Sequence, residues 1–381
     1  LSLFAVAFHS GMVGSDVGTP WYTALSLVLI TAASFATIIR VVLTRRSQPR
    51  KPPVSAPGQK VEPSTPAAKY DSNGAFSARV TSRRTLADDV VELTLRPVSD
   101  EVELEWEAGA HITLHLGNGL ERQYSLCGDP ADSRSLTIAV LNTKGPGGGS
   151  QWIHDNLTVG MEILVEPPLQ NFPLRAHHRY QFVASGIGIT PIRSMLASLP
   201  ASRDWKLLYL GRDRGQMAYL DELEKRYPKK VQTWVSGEKG KRANLAKLLD
   251  ANAEVYACGS EALLEEIEQH VATPRLHLER FSPVDRSGEH EATPIDVTWE
   301  PTGQSVSVAP DTTVLDGLES LGVELNASCR RGVCGSCELS VVAGTPAHLD
   351  SVMSDEDKGE LGIMYPCVSR ATSKNLTLSP S

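Results

Sequence analysis

Residues 90–95, 111–116 and 136–140 alternate apolar and polar side chains, and turn formers such as Gly117-Asn-Gly119 separate them. Period-two alternation marks strands with one buried face. Short strands at this spacing predict an antiparallel β-barrel over residues 76–176. From Tyr180 the rhythm changes. Short apolar runs at 180–184, 206–210, 232–235 and 255–257 are interleaved with helical patterns at 192–199, 219–226 and 245–249. Alternating strand and helix predicts an α/β domain with a parallel sheet over 177–281. After a linker at 282–293, residues 295–299 and 305–308 alternate again around Pro301-Thr-Gly303, which predicts a hairpin. Val314, Leu315, Leu318 and Leu321 then repeat at helical spacing. The expected fold is multidomain.

One run is too long for this scheme. Residues 20–39 carry no charge and have about the length that crosses a bilayer. Trp21 and Tyr22 stand at one end as interfacial anchors, and Arg40, Arg45, Arg46, Arg50 and Lys51 crowd the other. The positive-inside rule then predicts a transmembrane helix within a membrane segment at 1–44, in the cell inner membrane, with the later domains facing the cytoplasm. A signal peptide and a buried core helix are the alternatives; the basic residues that follow the run speak against the first. The chain opens on Leu1, and residues 1–13 read as the tail of a further apolar segment, so a piece of a longer membrane protein is expected. Residues 45–75 hold Pro49, Pro52, Pro53, Pro57, Pro63 and Pro66 and predict an extended, semi-rigid linker.

Charge refines the picture. The 381 residues carry a net −8, divided as +5 in the first 69 and −13 in the rest. An acidic body argues against nucleic acid as a partner. It suits docking on a basic protein or a solvated exterior. No GxSxG, HExxH or P-loop occurs, so hydrolase and kinase chemistry has no foothold.

Four of the six cysteines form one pattern: Cys329-Arg-Arg-Gly-Val-Cys334-Gly-Ser-Cys337, with Cys367 near the C-terminal end. C-x4-C-x2-C plus a remote cysteine is the plant-type spacing for a 2Fe–2S cluster held by four thiolates. Two sulfide-bridged irons need four soft anionic ligands, and Gly332 and Gly335 let a loop fold closely over them. Structural zinc pairs two CxxC knuckles or adds histidines, whereas this loop has one C-x2-C and no His. A disulfide reading needs an oxidising compartment, and Cys127 and Cys258 lie far apart outside any CxxC. Strand pair, helix, cysteine loop and late cysteine make residues 294–381 resemble a plant-type ferredoxin, an α+β domain. Asp350, Asp355, Glu356, Asp357 and Glu360 precede Cys367 and offer either a docking face for a basic partner or a solvated helix face.

Three further motifs point to cofactors. In Arg122-Gln123-Tyr124-Ser125 the Arg and Ser suit a phosphate or ribityl chain, and the Tyr suits a flavin ring. Gly145-Pro-Gly-Gly148-Gly149-Ser150 is a turn whose N–H groups suit a phosphate. Gly186-Ile-Gly188-Ile-Thr190-Pro191 lies where the first α/β strand meets its helix, the ligand end of open sheets, although Pro191 breaks the generic GxGxxG. Singly, each also reads as ordinary turn or surface. At 210–214, Arg212 and Arg214 favour a 2′-phosphate and Asp213 repels it, which leaves NADH and NADPH both open.

In this order, and with Tyr256-Ala-Cys258-Gly259, Glu279-Arg-Phe281 and the ferredoxin pattern behind them, these motifs resemble the ferredoxin-reductase superfamily. The closest resemblance is to the phthalate dioxygenase reductase branch, vanillate demethylase reductases included, over roughly residues 76–381. It implies FMN in preference to FAD, NADH in preference to NADPH, and an oxygenase or other one-electron acceptor protein as partner. It also implies that Arg122, Gln123, Tyr124 and Ser125 hold the flavin, with Gly148, Gly149 and Ser150 at its phosphate. Gly186, Gly188, Thr190, Pro191, Arg212 and Gly259 would face the nucleotide, and Cys258 and Phe281 the reacting rings. That branch is usually soluble, so the N-terminal segment departs from it. Phe8-His9-Ser10-Gly11 and the following helix resemble the last helix of PepSY-associated transmembrane proteins, which would make His9 a haem ligand. The alternatives are therefore a membrane ferric- or haem-iron reductase, and a tethered electron carrier or redox sensor.

Overall fold

The computed structural model describes residues 74–144, 148–286 and 288–381. The expected membrane helix at 20–39, His9, nearly all of the proline-rich linker and residues 145–147 of the glycine-rich turn lie outside the described residues. Among the described residues, no helix is long and apolar enough to cross a membrane.

Six antiparallel strands come first: β1 (Phe76–Ala87), β2 (Val90–Pro97), β3 (Ala110–His115), β4 (Glu121–Ser125), β5 (Leu136–Leu141) and β6 (Glu162–Val165). They run in the order β4-β3-β6-β1-β2-β5, and β7 (Leu169–Gln170) adds to β3. A bridge between Leu126 and Ile138 joins the end of β4 to β5 and closes the barrel. The alternation seen in sequence fills its interior. Leu93, Leu95, Ile112, Leu114, Leu136 and Ile138 have no exposed surface. In strand β1 the alternation covers only the first half: Phe76, Ala78 and Val80 are buried, and no residue from Thr81 to Ala87 is. Pairing with β2 on one side and β6 on the other holds it in place.

The next sheet is wholly parallel, β10 (Val231–Val235), β9 (Asp204–Gly211), β8 (Arg179–Ser185), β11 (Glu254–Cys258) and β12 (Leu276–Glu279), in that spatial order. Helices Ile189–Ser198, Leu220–Arg226 and Glu261–Glu268 make the longer crossovers. Strand β8 is central and covered on both faces, so it is buried continuously from Tyr180 to Ala184, Gln181 included, rather than on alternate residues. Strand order reverses on either side of it, which opens a crevice at the carboxyl ends of the strands.

The last part is a mixed sheet, β14 (Gln304–Val308), β13 (Ile295–Trp299), β19 (Asn375–Pro380), β15 (Leu339–Ala343) and β17 (Ile363–Met364), with β16 (Pro346–Ala347) and β18 (Arg370–Ala371) paired separately. Only the β13/β19 pair is parallel among these ladders. Helix Val314–Ser320 starts at Thr313, whose Oγ1 accepts the Asp316 N–H at 3.0 Å. Val314 and Leu318 pack it onto Ile295, Val297, Leu376 and Leu378.

The acidic segment is corrected at Asp350. Asp350 is buried and takes the buried Lys358 Nζ at 2.9 Å and the Ser369 hydroxyl at 2.8 Å. Asp355 pairs with Arg286 and Lys358, both at 2.8 Å, and Asp357 with Arg175 at 2.7 Å. Of the five acids only Asp350 is buried; Asp355 and Asp357 are ion-paired within the chain while staying part-exposed, and Glu356 and Glu360 are exposed, as a solvated helix face requires. A buried ammonium such as that of Lys358 is tolerable only with such partners.

Candidate active site

Cys329, Cys334 and Cys337 sit on an irregular loop between helix Val314–Ser320 and β15, and Cys367 follows β17. Their thiols contact in two pairs, Cys329 with Cys334 and Cys337 with Cys367. Backbone donors converge on the sulfurs: Arg331 N–H reaches Cys329 Sγ at 3.3 Å, and Gly332 bonds to Cys367. Hydrogen bonding from Cys334 pulls the Cys329 thiol down to about 5, and the same contact pushes Cys334 up. Two pairs of soft sulfur donors wrapped in N–H groups fit a two-iron cluster and not a hard cation. Gly335 has φ +76°, and a Cβ there would stand 2.5 Å from Asn171 Nδ2. Only glycine permits that approach of the loop to the barrel.

Asn171 uses this closeness. Its Nδ2 donates to Cys334 O at 2.8 Å, and the buried His111 ring bonds the backbone of the same cysteine. Burial, the larger influence, pushes His111 down to about 4, so its ring is neutral there. Gln123, expected on the flavin side, donates Nε2 to Ser328 Oγ at 2.8 Å and ties the barrel to the cysteine loop.

A cavity of about 780 Å³ lies where the three parts meet. The barrel contributes Arg122, Gln123, Tyr124 and Ser125 from β4, and Gly148, Gly149 and Ser150 from the start of helix Gly149–Asn156. The α/β part contributes Thr190, Glu279 and Phe281, and the cysteine loop Cys329, Arg330 and Val333. A Cβ on Gly149 would meet Arg122 Nε at 2.6 Å, so the guanidinium group lies against the helix start. Gly148 caps that helix without a side-chain bond. Its first-turn N–H groups and Arg122 thus form one wall that suits a phosphate. Ser150 Oγ is engaged with Thr143, accepting its N–H at 3.2 Å. Phe281 is 41% exposed and offers a ring to the cavity.

Across from it, Gly188 packs against β11. A Cβ at Gly188 would stand 2.3 Å from Cys258 O. Thr190 Oγ1 donates to Ile187 O at 3.0 Å, and Pro191 is buried in the first helical turn, where a missing N–H costs little. Both shape the turn. Gly259 abuts Ser185. A second cavity, about 320 Å³, lies at the carboxyl ends of β8 to β10, with Gly186, Arg212, Asp213, Trp234 and Arg242 on its walls. The turn Gly186–Gly188 gives Gly186 to this cavity and Ile187 to the larger one.

Glu279 joins the two halves. Enclosed except toward the large cavity, it accepts the Ser125 hydroxyl at 3.3 Å and hydrogen-bonds the Cys258 thiol. Burial pushes its carboxyl up to about 8, which keeps it protonated at neutral pH. Burial likewise raises the Cys258 thiol, so sulfur stays neutral beside it. In the sequence Glu279 stood out only as part of Glu279-Arg-Phe281. His111 and Asn171 carried no sequence signal, because only the fold brings them to the cysteine loop.

Residues 297–372 match the family model of the 2Fe–2S iron–sulfur cluster binding domain. The heme-dependent oxidative N-demethylase beta subunit of Ectopseudomonas mendocina is 33% identical over 313 residues, spanning 80% of this chain and 98% of that protein. The phenoxybenzoate dioxygenase subunit beta of Ectopseudomonas oleovorans is 36% identical over 301 residues, spanning 77% and 93%. Among solved structures, an intact type IV self-sufficient cytochrome P450 monooxygenase matches with TM-score 0.75 and 34% identity over 83% of this chain. The chain spans only 43% of that enzyme. Phthalate dioxygenase reductase matches with TM-score 0.56 and 30% identity, over 80% of this chain and 98% of that one. The chain therefore belongs to the phthalate dioxygenase reductase-type family of oxidoreductases, the reductase components of oxygenase systems that join flavin, nucleotide and 2Fe–2S modules.

Proposed function

We propose that the chain takes electrons from NADH through FMN to a 2Fe–2S cluster and delivers them to an oxygenase or another one-electron acceptor protein. The modules in this reading are 76–176, 177–281 and 294–381. The observation that carries it is the large cavity, whose wall is shared by Arg122–Ser125 of β4, Glu279 and Phe281, and the Cys329 loop. A bound flavin and cluster would supply the conversion of a two-electron hydride donor into single electrons. The protein's own part is placement. Arg122 and the Gly148–Ser150 helix start hold a phosphate, and Phe281 offers a ring face. Gly188 lets the nucleotide turn close on Cys258, while protonated Glu279 fixes Ser125 and Cys258 across the seam. Asn171, His111 and Gln123 hold the cysteine loop against the barrel. Cys329, Cys334, Cys337 and Cys367 ligate the irons. NADH is preferred to NADPH on the family resemblance, since the second cavity holds Asp213 together with Arg212 and Arg242.

The test is a split of two activities. Cys334→Ser should abolish cytochrome c reduction yet spare NADH-to-ferricyanide transfer. Equal loss of both would overturn the electron order, and a flavin that NADH never bleaches would favour the carrier reading. The uncharged run at 20–39 supports a tether to the inner membrane with these modules in the cytoplasm, which fractionation of cells expressing the whole chain checks.

A further inference from the structure

The edge of the parallel sheet opposite the nucleotide cavity carries a second set of ligating groups. His177 precedes β8, Glu254 opens β11 and His277 is the second residue of β12, so all three lie at the amino ends of the strands. Parallel pairing sets His277 beside Tyr256, whose ring stacks on the imidazole with centroids 4.3 Å apart. Glu254, two residues before Tyr256, faces the same side. It divides its oxygens between the two histidines. Oε1 is 3.5 Å from His177 Nδ1, and Oε2 is 3.0 Å from His277 Nε2. One ligand atom from each of the three lies within 4.8 Å of the other two.

We infer that His177, Glu254 and His277 bind a divalent transition-metal ion of the zinc class, with solvent in the fourth position. Two imidazole nitrogens and one carboxylate oxygen are a zinc donor set with an open site. Magnesium and calcium want mainly oxygen donors and are poorly served by two imidazoles. His277 is partly buried, and its stack on Tyr256 orients the ring. The neighbouring charges permit a cation. Each neighbouring arginine is engaged elsewhere: Arg175 pairs with Asp357 at 2.7 Å, Arg203 donates to His177 O at 2.8 Å, and Arg275 donates to Ala253 O at 2.9 Å. Asp357 belongs to helix Asp355–Leu361 of the ferredoxin part, so the ion would lie at its seam with the nucleotide sheet.

The experiment titrates the cluster-loaded full chain with zinc sulfate in competition with a chromophoric chelator. The wild type should bind one equivalent, and His277→Ala and His177→Ala should each weaken it by about tenfold or more. X-ray absorption should show nitrogen and oxygen neighbours only. Glu254→Gln preserves side-chain volume and should also weaken zinc binding while the NADH-to-ferricyanide rate stays at the wild-type value. Zinc bound equally by wild type and variants, a sulfur shell marking the cysteine loop, or no binding at micromolar zinc would each overturn the inference.

Discussion

The barrel meets its two neighbours in different ways. Toward the nucleotide sheet the contact is a continuation of the core: Val90, Cys127, Ala139 and Phe172 are packed in one buried cluster with Tyr180, Phe182, Ile192 and Tyr209. Its polar contacts are themselves buried, as where Tyr219 donates to Glu92 Oε2 at 2.7 Å. Toward the ferredoxin part the contact is made of hydrogen bonds and ion pairs, Asn171 to Cys334, Gln123 to Ser328, Arg175 to Asp357. Among the described residues, the buried apolar clusters of the ferredoxin part contain no residue from the other two. Apolar burial is the dominant favourable term in folding, and a polar seam adds little net stability. The first seam should thus unfold only with the domains it joins, whereas the second is free to loosen while both sides stay folded.

The strongest way to break that contrast is in the first seam. Phe182 is fully buried on β8, between the rings of Tyr180, Trp205 and Tyr256 at 5.8, 6.3 and 5.9 Å. Phe182→Ala should cost about 3–5 kcal/mol. In a denaturant titration flavin fluorescence and the far-ultraviolet signal should shift together. If flavin release ran well ahead of the loss of secondary structure, the barrel and sheet would not share a core.

Asn171→Ala acts on the second seam and should have a smaller effect. Losing its bond to Cys334 O removes about 1 kcal/mol of docking, or about fivefold in the rate at which the cluster is reduced. The preceding reduction of flavin by NADH should keep its rate. A variant slowed in both steps would mean that Asn171 shapes the flavin cavity rather than the seam.

The contrast also explains what could be read from sequence. Local pattern exposed β2, β3, β5, β8 to β11, β13 and β14 and helices Ile189–Ser198, Leu220–Arg226 and Val314–Ser320, because each buries a face or a whole strand that repeats with its own period, but not helix Glu261–Glu268. It missed β1, whose outer half carries Ser82-Arg-Arg-Thr85 and which is held by partners on both sides. The cysteine loop was legible because four ligands to one cluster impose a spacing. The acidic segment misled only at Asp350, since composition cannot show that Lys358 is buried against it. Seam residues were invisible for a related reason. Asn171 meets Cys334 and Ser125 meets Glu279 across more than a hundred residues, and nothing periodic marks either pair.

The finest distinction is between salt and pH where the linker at 282–293 is held to the ferredoxin part. Arg286 makes a forked pair with Asp355, at 3.1 Å to Oδ1 and 2.8 Å to Oδ2. Desolvation works against the Asp355 charge, but Arg286 and Lys358 outweigh it and hold the carboxyl down to about 2. A carboxyl lowered in the folded protein lends stability that is present above its unfolded value and is lost only as pH falls through the folded one. This pair therefore does not titrate in the neutral range. Salt does reach it, because Asp355 is half exposed and solvent-exposed ion pairs weaken as salt is added. For so exposed a pair the contribution is about 0.2–1 kcal/mol. Arg286→Ala should accordingly slow electron arrival at the cluster by less than about fivefold at low ionic strength. The wild type should slow as salt is added and approach the variant, whose own rate changes less. Parallel salt dependence in the two proteins would show that this ion pair does not hold the linker.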